Sequence, residues 1–446
     1  MITPDEARVL ARQAVELTEA DEAEAVVIAE VSSLTRFANN RIHQNVAEED
    51  TLVSVRAVLG RKVGVASTNR TDEESLRSCC AAALKATSAA PEDPAFPGLP
   101  IPEPVPLLED RASQATRSFD ADARADAAAA IIGQSAARGL TAAGSVQIAA
   151  HSTAVANSKG IDVAMATTSA RATVLSMGPG NGSGWASWNG TDASELAADA
   201  LGDRAAALAE RTANPGDLEP GEYQVVLGPE AVADLLEFLA YTGFSAKAYE
   251  EGRSFMSGNL EAGLGSELVT IVDDALADEA MGLTFDYEGC PKRRVPFFEY
   301  GVVIKPVTDS YWAAVSGWPN SGHALLAPND FGPYPSNMAM EPGESTIEDL
   351  IGSVKRGVYV TRFHYVNVED PKTVLLTGMT RDGTFMIEDG RLTSPLKNQR
   401  FTQSAIDALY WTSGVTRERG FYGSDETISL TPAILVDKFR FTGQTA

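Results

Sequence analysis

Side chains able to act as acids, bases, nucleophiles or metal ligands are thinly spread along this 446-residue sequence. Its four histidines, His43, His151, His323 and His364, stand in four separate segments with no pair at helical or strand spacing. A zinc-protease helix needs two imidazoles on one face, usually with a glutamate to activate the metal-bound water, and no His-Glu-x-x-His run occurs. Cys79 and Cys80 are adjacent, where geometry forbids an ordinary disulfide, and Cys290 stands alone, so all three read as reduced apolar residues without zinc spacing. Nucleophile-elbow, phosphate-loop and dinucleotide-binding patterns are also missing.

Carboxylates are the remaining candidates. "FDYEG" sets Asp286 and Glu288 two residues apart, on one face if the segment is a strand, where a pair could share acid and base work. Such pairs more often form a solvated edge or a hydrogen-bonded turn. Asp273 and Asp274 precede them in "IVDDA". The glycine-rich "GPGNGSGWASWNG", Gly178 to Gly190, has no lysine to hold a phosphate and reads as a mobile surface loop. Its Trp185 and Trp188 leave a contact role open.

The formal charge of −25 excludes several partners, because so acidic a surface repels phosphate backbones and anionic lipid headgroups. Nucleic acid is therefore not an expected partner. No run of apolar residues is long enough to cross a membrane, and "MITPDEARVLARQAVEL" lacks the basic and apolar regions of a signal peptide, so a cytoplasmic location is expected.

The elements that must position any site follow from periodicity and capping. "TPDE" is a capping box with Thr3 as N-cap, Pro4 at the first position and Glu6 reaching back, which predicts a helix to about Ala20. Alternating apolar and polar residues from Ala23 to Thr68 then predict a meander of three or four strands, and "TDEE" at Thr71 to Glu74 a second capped helix. Seven prolines between Pro91 and Pro106 mark an extended connector, placed at about residues 88–109. The pattern then repeats: a helix near 121–139, alternating strands, and a helix near 193–211.

"NPGDLEPGEYQVVL" marks the next break. The fold class expected is α+β. Residues 1–215 form an N-terminal domain of helices packed on a mostly antiparallel sheet. Residues 216–446 form a β-rich C-terminal domain, mainly antiparallel and barrel-like, with few helices. One helix opens that second half: Gly228 and Pro229 start it, and Val232, Leu235, Leu236 and Leu239 make its apolar stripe. Glu230, Asp234, Glu237 and Tyr241 fall on the other side, either as solvated residues or as the wall of a cavity.

Four segments, "LEPGEYQVVLGPEAVADLLEFL", "TGFSAKAYEEGRSFMSG", "LTFDYEGCPKRRVPFFEYGVV" and "TGMTRDGTFMIEDGRLTSPLKNQRFTQS", together resemble the TldD/PmbA family. "SSLTRFANNRIHQNV" and "VLGRKVGVAST" resemble its first domain, so the likeness runs along nearly the whole chain. The family is known as heteromeric metallopeptidases in which a TldD-like subunit carries a His-Glu-x-x-x-His zinc helix and a TldE/PmbA-like subunit lacks it. Aligning that pattern here, with "GRSFMSG" as anchor, puts Glu237, Phe238 and Thr242 at the zinc-helix positions, and the late cysteine ligand is missing as well.

The resemblance therefore implies a metal-free, TldE/PmbA-like subunit with no catalytic residue and no cofactor of its own. It implies a TldD-like partner that holds zinc, and a chamber between the two in which extended peptides are hydrolysed after main-chain recognition by a sheet edge. Residues placed around that chamber by the resembling segments are Tyr241, Ser254, Ser257, Gly258, Asp286, Glu288, Arg362 and His364. Three other readings stay open: the same kind of complex acting on an amide in a small biosynthetic intermediate, a homodimeric binding or scaffold protein, and a lone hydrolase using Asp286 and Glu288. The family's older name, modulator of DNA gyrase, does not imply DNA contact for a chain this acidic.

Overall fold

The computed structural model describes residues 2–423 and 427–444. Helix α1 (Pro4–Glu16) opens with the expected reciprocal cap: the Glu6 N–H donates to Thr3 Oγ1 at 3.2 Å and the Thr3 N–H to Glu6 Oε2 at 2.7 Å. It ends before Ala20. Strands β1 (Glu22–Ala38), β2 (Arg41–Leu59) and β3 (Lys62–Thr68) form the meander, three strands long. Helix α2 (Glu73–Ala89) is capped by Asp72 rather than Thr71, because the Asp72 carboxylate accepts the Ser75 N–H at 3.0 Å.

The proline-rich stretch then runs without helix or strand to a 3-10 turn at Glu109–Arg111. Helices α3 (Gln114–Arg117) and α4 (Ala121–Ala136) lead into β4 (Thr141–Asn157), β5 (Asp162–Met177) and β6 (Ser183–Gly190). Helix α5 (Ala198–Arg211) follows a 3-10 turn at Ala193–Glu195. The segment from Gly178 to Gly190 is thus mostly a strand, not a surface loop: Trp185 and Trp188 pair with Leu175 and Ala172 on β5.

These six strands make one antiparallel sheet in the order β3-β2-β1-β4-β5-β6. Alternation explains its two faces. Ala25, Val27, Ala154 and Ala156 point toward α1 and α2, and Phe37, Val146, Ala172 and Val174 pack with Ile131 of α4 and Leu201 of α5. Glu30, Gln147, His151, Thr153 and Thr167 point the other way.

The remaining strands are β7 (Gly221–Leu227), β8 (Ile271–Asp273), β9 (Val295–Glu299), β10 (Val302–Val303), β11 (Met338–Met340), β12 (Arg356–Asp370), β13 (Leu375–Glu388), β14 (Arg391–Pro395), β15 (Gln399–Ser404), β16 (Thr412–Gly423) and β17 (Ile428–Gln444). Their 11-stranded sheet closes on itself, since β7-β12-β13-β15-β17 is a path of neighbours and β17 pairs back with β7. That closure is the barrel. The sheet is mainly antiparallel, as expected, with two parallel pairs, β7–β12 and β11–β17. "TRDG" forms a kink inside β13, where Asp382 (φ 53°) and Gly383 (φ 145°) leave the extended region.

Among the described residues five helices, more than expected, belong to this half: α6 (Pro229–Gly243), α7 (Ala246–Glu250), α8 (Ser310–Ser316), α9 (Ile347–Ser353) and α10 (Ala405–Tyr410). Helix α6 buries Val232, Leu235, Leu236 and Leu239 in the core shared with Phe363, Phe401 and Phe439 of the barrel. At about 1.5–3 kcal/mol for each large apolar side chain removed from water, that stripe fixes the helix on the barrel.

Candidate functional site

A groove lies between the helix-free face of the six-stranded sheet and the loops of the barrel half. Its floor is one face of β1, β4 and β5, where antiparallel pairing sets Glu30 beside His151 and His151 beside Thr167. Its roof comes from residues around Met281, Ser336–Asn337, Phe421 and Ile428. Three cavities of about 340, 250 and 200 Å³ share walls along it, and His151 lines all three. His151 Nδ1 is 3.7 Å from Glu30 Oε2. Burial pulls its pKa below the ordinary histidine value, against the pull of Glu30.

The roof is organised by Asp273, at the end of β8. Its Oδ2 accepts the Ser336 and Asn337 N–H groups, both at 2.7 Å, and its Oδ1 meets His323 Nε2 at 3.0 Å. Burial opposes ionisation of Asp273, but His323, Lys292 and the Asn337 N–H outweigh it and hold its pKa below the usual carboxylate range. His323 Nδ1 in turn sits 2.9 Å from Ser321 Oγ. Serine, histidine and aspartate are therefore in line, yet no nucleophile results. Ser321 Oγ accepts the Thr308 N–H at 2.7 Å and lies 3.0 Å from the Thr308 carbonyl, and the trio is buried. It clamps three loops together. At the groove wall, Lys292 Nζ donates to the exposed Ser336 Oγ. Burial lowers the Lys292 pKa, with Asp273 and Asp286 opposing.

Asp286 and Glu288 form no solvated strand edge. They sit in a buried turn closed by the Phe285–Pro291 bridge. Asp286 Oδ1 accepts the Glu288 and Cys290 N–H groups at 3.0 and 2.9 Å, and Oδ2 the Ala324 N–H at 2.9 Å. Glu288 Oε1 takes both Arg56 Nη atoms at 3.1 Å, and Arg56 also reaches Glu24 Oε2 at 2.9 Å. Burial, reinforced by Glu288, pushes the Asp286 carboxyl up to about 8. One ligand atom each from Asp286, Glu288 and Cys290 lie within 4.8 Å of one another, a spacing a cation could bridge. The group does not fit zinc: the carboxylates are committed to N–H groups and Arg56, and burial followed by the neighbouring acids raises the Cys290 pKa, whereas zinc needs the thiolate.

The positions of the absent zinc motif lie on α6. Thr242 Oγ1 donates to the Phe238 carbonyl at 2.7 Å and is buried, Phe238 packs on the barrel core, and Glu237 stands beside Asp234. The acids of this helix, Glu230, Asp234 and Glu237, are half-buried rather than fully solvated. Ser187 Oγ on β6 donates to Glu230 Oε1 at 2.5 Å, and burial raises the Glu230 pKa. Burial, then Glu237 and Glu230, push Asp234 up to about 7, with Arg362 opposing. Arg362 lies over the Trp185 ring at 4.4 Å and bonds Asp382 through Nε at 3.0 Å, so it ties β6 to the barrel. Glu230 also lines a cavity of about 390 Å³ with Arg204, Arg211, Tyr359 and Tyr422.

The eight residues expected around a chamber do not gather in one place. Ser254 Oγ donates to the Gly243 carbonyl and Ser257 Oγ to the Tyr249 carbonyl, both as loop ties, and Gly258 (φ 80°) is an exposed turn residue. Tyr241 is 58% exposed, with its ring 6.4 Å from that of Phe331. His364 is partly exposed on β12, its pKa lowered by burial and then by Arg381 and Arg362. Of the eight, Asp286 alone lines the groove. Sequence reasoning missed His151, Lys292, Ser336 and Asn337. The alternation along β4 was the available signal for His151, and the loop residues carried none.

Family models match three successive stretches: PmbA/TldA metallopeptidase domain 1 at residues 23–87, the central domain at 95–213 and the C-terminal domain at 220–443. The fold is similar to the crystal structure of TldE from Thermococcus kodakarensis, with a TM-score of 0.90, 20% identity, and coverage of 99% of this chain and 100% of that one. In sequence the chain is 28% identical over 200 residues to a metalloprotease TldD homolog of Buchnera aphidicola, covering 44% of this chain and 41% of that protein. It is 26% identical over 275 residues to a metalloprotease of Methanothermobacter thermautotrophicus, covering 59% and 60%. The chain thus spans about two fifths to three fifths of the length of these curated relatives. With three domain models matched in order along most of its length, this chain belongs to the TldD/PmbA metallopeptidase family.

Proposed function

We propose that this chain is the metal-free, TldE-like subunit of a two-component zinc peptidase, acting in the cytoplasm beside a TldD-like partner that holds the zinc. The observation that carries this reading is α6: the helix is complete and packed, but Glu237, Phe238 and Thr242 stand at the motif positions and no histidine lies between His151 and His323. In the partner, zinc would polarise a peptide carbonyl and lower the pKa of its bound water.

This chain's part is to enclose the substrate and exclude competing water, with Tyr241, Gly258 and His364 offered as chamber-facing positions because they are exposed or partly so. The proposed units are residues 1–215 and 216–446. They meet where Arg56 bonds Glu288 and where Arg362 lies over Trp185. The acidic surface favours peptide over nucleic-acid partners.

The test is to purify the chain alone and with a TldD-like partner, then measure bound zinc and peptide cleavage with and without a chelator. Zinc and chelator-sensitive cleavage are expected only with the partner. Stoichiometric zinc on the lone chain, or chelator-sensitive cleavage by it, sinks the assignment.

A further inference from the structure

Lys292 and Ser336 meet at the groove wall in a way the clamp around Asp273 does not need. Lys292 is half-buried, and its main-chain N–H donates to the Thr284 carbonyl at 2.8 Å. Its Nζ donates to Ser336 Oγ, and among the described residues no carboxylate oxygen lies within 4 Å of it. A lysine drawn out of water is usually held by a carboxylate; one given only a hydroxyl parts with its proton more easily. Burial lowers the Lys292 pKa accordingly, with Asp273 and Asp286 opposing from farther off.

Ser336, unlike Ser321, is open to solvent, and it lines the cavities of about 340 and 250 Å³. Asp273 Oδ2 holds the N–H groups of Ser336 and Asn337, both at 2.7 Å, so the backbone beneath the hydroxyl is fixed. Asn337 Nδ2 donates to Ser336 Oγ at 3.1 Å. An oxyanion made by attack of Oγ is bonded to the same carbon as Oγ, within reach of that N–H. Ile28, Leu283 and Phe285 line the smaller cavity and pack in one apolar cluster. A hydroxyl, a base in hydrogen-bond contact with it, an N–H donor and an apolar pocket thus converge on one spot.

We propose that Ser336 is a nucleophile with Lys292 as its base, and that this chain hydrolyses esters of short apolar carboxylic acids. Lys292, as the free amine, takes the Oγ proton while Oγ forms a bond to the ester carbonyl carbon and the carbonyl pair moves onto oxygen. Collapse breaks the bond to the alkoxide, which receives the proton from Lys292 and leaves as the alcohol. Water then repeats the sequence on the acyl-serine, giving the carboxylic acid and free Ser336. The acyl chain would lie against Ile28, Leu283 and Phe285. This activity is the chain's own and does not rest on the zinc partner proposed above.

The experiment follows nitrophenol release from p-nitrophenyl butyrate by the isolated full chain, with and without EDTA, and locates the butyryl group by peptide mass spectrometry after an acid quench. EDTA-insensitive release and a butyryl group on Ser336 are expected. Ser336→Ala should lose both, and Lys292→Arg, a permanent cation, should slow release about 100-fold. Release should rise with pH to a plateau, with a half-point below 10.5. Asp286, His151, His323, Tyr287 and Tyr334 line the same cavity and Asp273 bonds His323, so a half-point retained in Lys292→Arg would assign the profile to one of them and overturn the proposal. Butyryl groups elsewhere only, or equal release by Ser336→Ala, would overturn it too. Ser336 is exposed, so its variant decides the matter even if Lys292→Arg does not fold. EDTA-sensitive release would trace the chemistry to a bound metal and sink both this step and the metal-free assignment, whereas zinc-dependent peptide cleavage by the two-subunit complex without esterase activity would sink this step alone.

Discussion

Arg56 of β2 donates to Glu288 of the barrel half through both terminal nitrogens at 3.1 Å, while the same guanidinium holds Glu24 of β1 at 2.9 Å. One cation therefore serves two carboxylates on opposite sides of the seam between the two sheets. Removing one partner of a buried ion pair strands the other, which costs about 3–5 kcal/mol. Arg56→Met should lower the stability of the chain by that amount at pH 8, measured by urea unfolding with tryptophan fluorescence. A loss below about 1 kcal/mol would mean that the seam is held elsewhere.

Glu24 makes this seam sensitive to pH. Burial, opposed by Arg56, pushes its carboxyl from 4.5 to about 7. A raised acid is protonated in the folded chain while it is ionised in the unfolded one. Its contribution is fully present below pH 4.5 and lost as pH rises to about 7. Stability should fall across that window with a slope of up to about 1.4 kcal/mol per pH unit from this group, and Glu24→Gln should flatten it. An unchanged slope in the variant would assign the effect to other groups.

Gly289 packs against the turn between β4 and β5. It has φ 74°, and a Cβ there would come within 2.4 Å of Ile161 Cγ2. Gly289→Ala should cost about 1–3 kcal/mol from the left-handed backbone alone, with the clash added. Thermal unfolding would show it. A variant as stable as the parent would mean that the turn moves freely away from Ile161.

The Ser321–His323–Asp273 line invites a serine-hydrolase interpretation that its burial contradicts. Ser321→Ala should leave any hydrolysis by the two-subunit complex unchanged while lowering stability by about 1–3 kcal/mol, because the Thr308 N–H loses its acceptor. Lost activity at full stability would reverse this conclusion.

What could be read from the sequence was what neighbours along the chain decide. The Thr3 and Glu6 cap, the alternation of β1 and the stripe Val232, Leu235, Leu236 and Leu239 each express local geometry, and each is found in place. The hydrogen-bonded turn at Asp286 and Glu288 was among the readings of their spacing, but its burial was not legible, because Arg56 and Ala324, which surround it, are far away in sequence. The Asp382-Gly383 pair has the composition of a turn, but Arg362 on the neighbouring strand holds Asp382 inside β13. The groove was invisible for the same reason. Alternation assigns His151 to one face of β4, and only the folded chain supplies the loops that cover that face.

The closing pair of the barrel joins Gly221 to Phe441. Strand β7 precedes its antiparallel neighbour β17 by several intervening strands, while the six-stranded sheet is built from strands that all come before β7, so the barrel alone waits for β17. A ring closed by distant strands is slow to nucleate. Once closed, β7 is held on both sides, and unfolding has to pull it away from two neighbours at once.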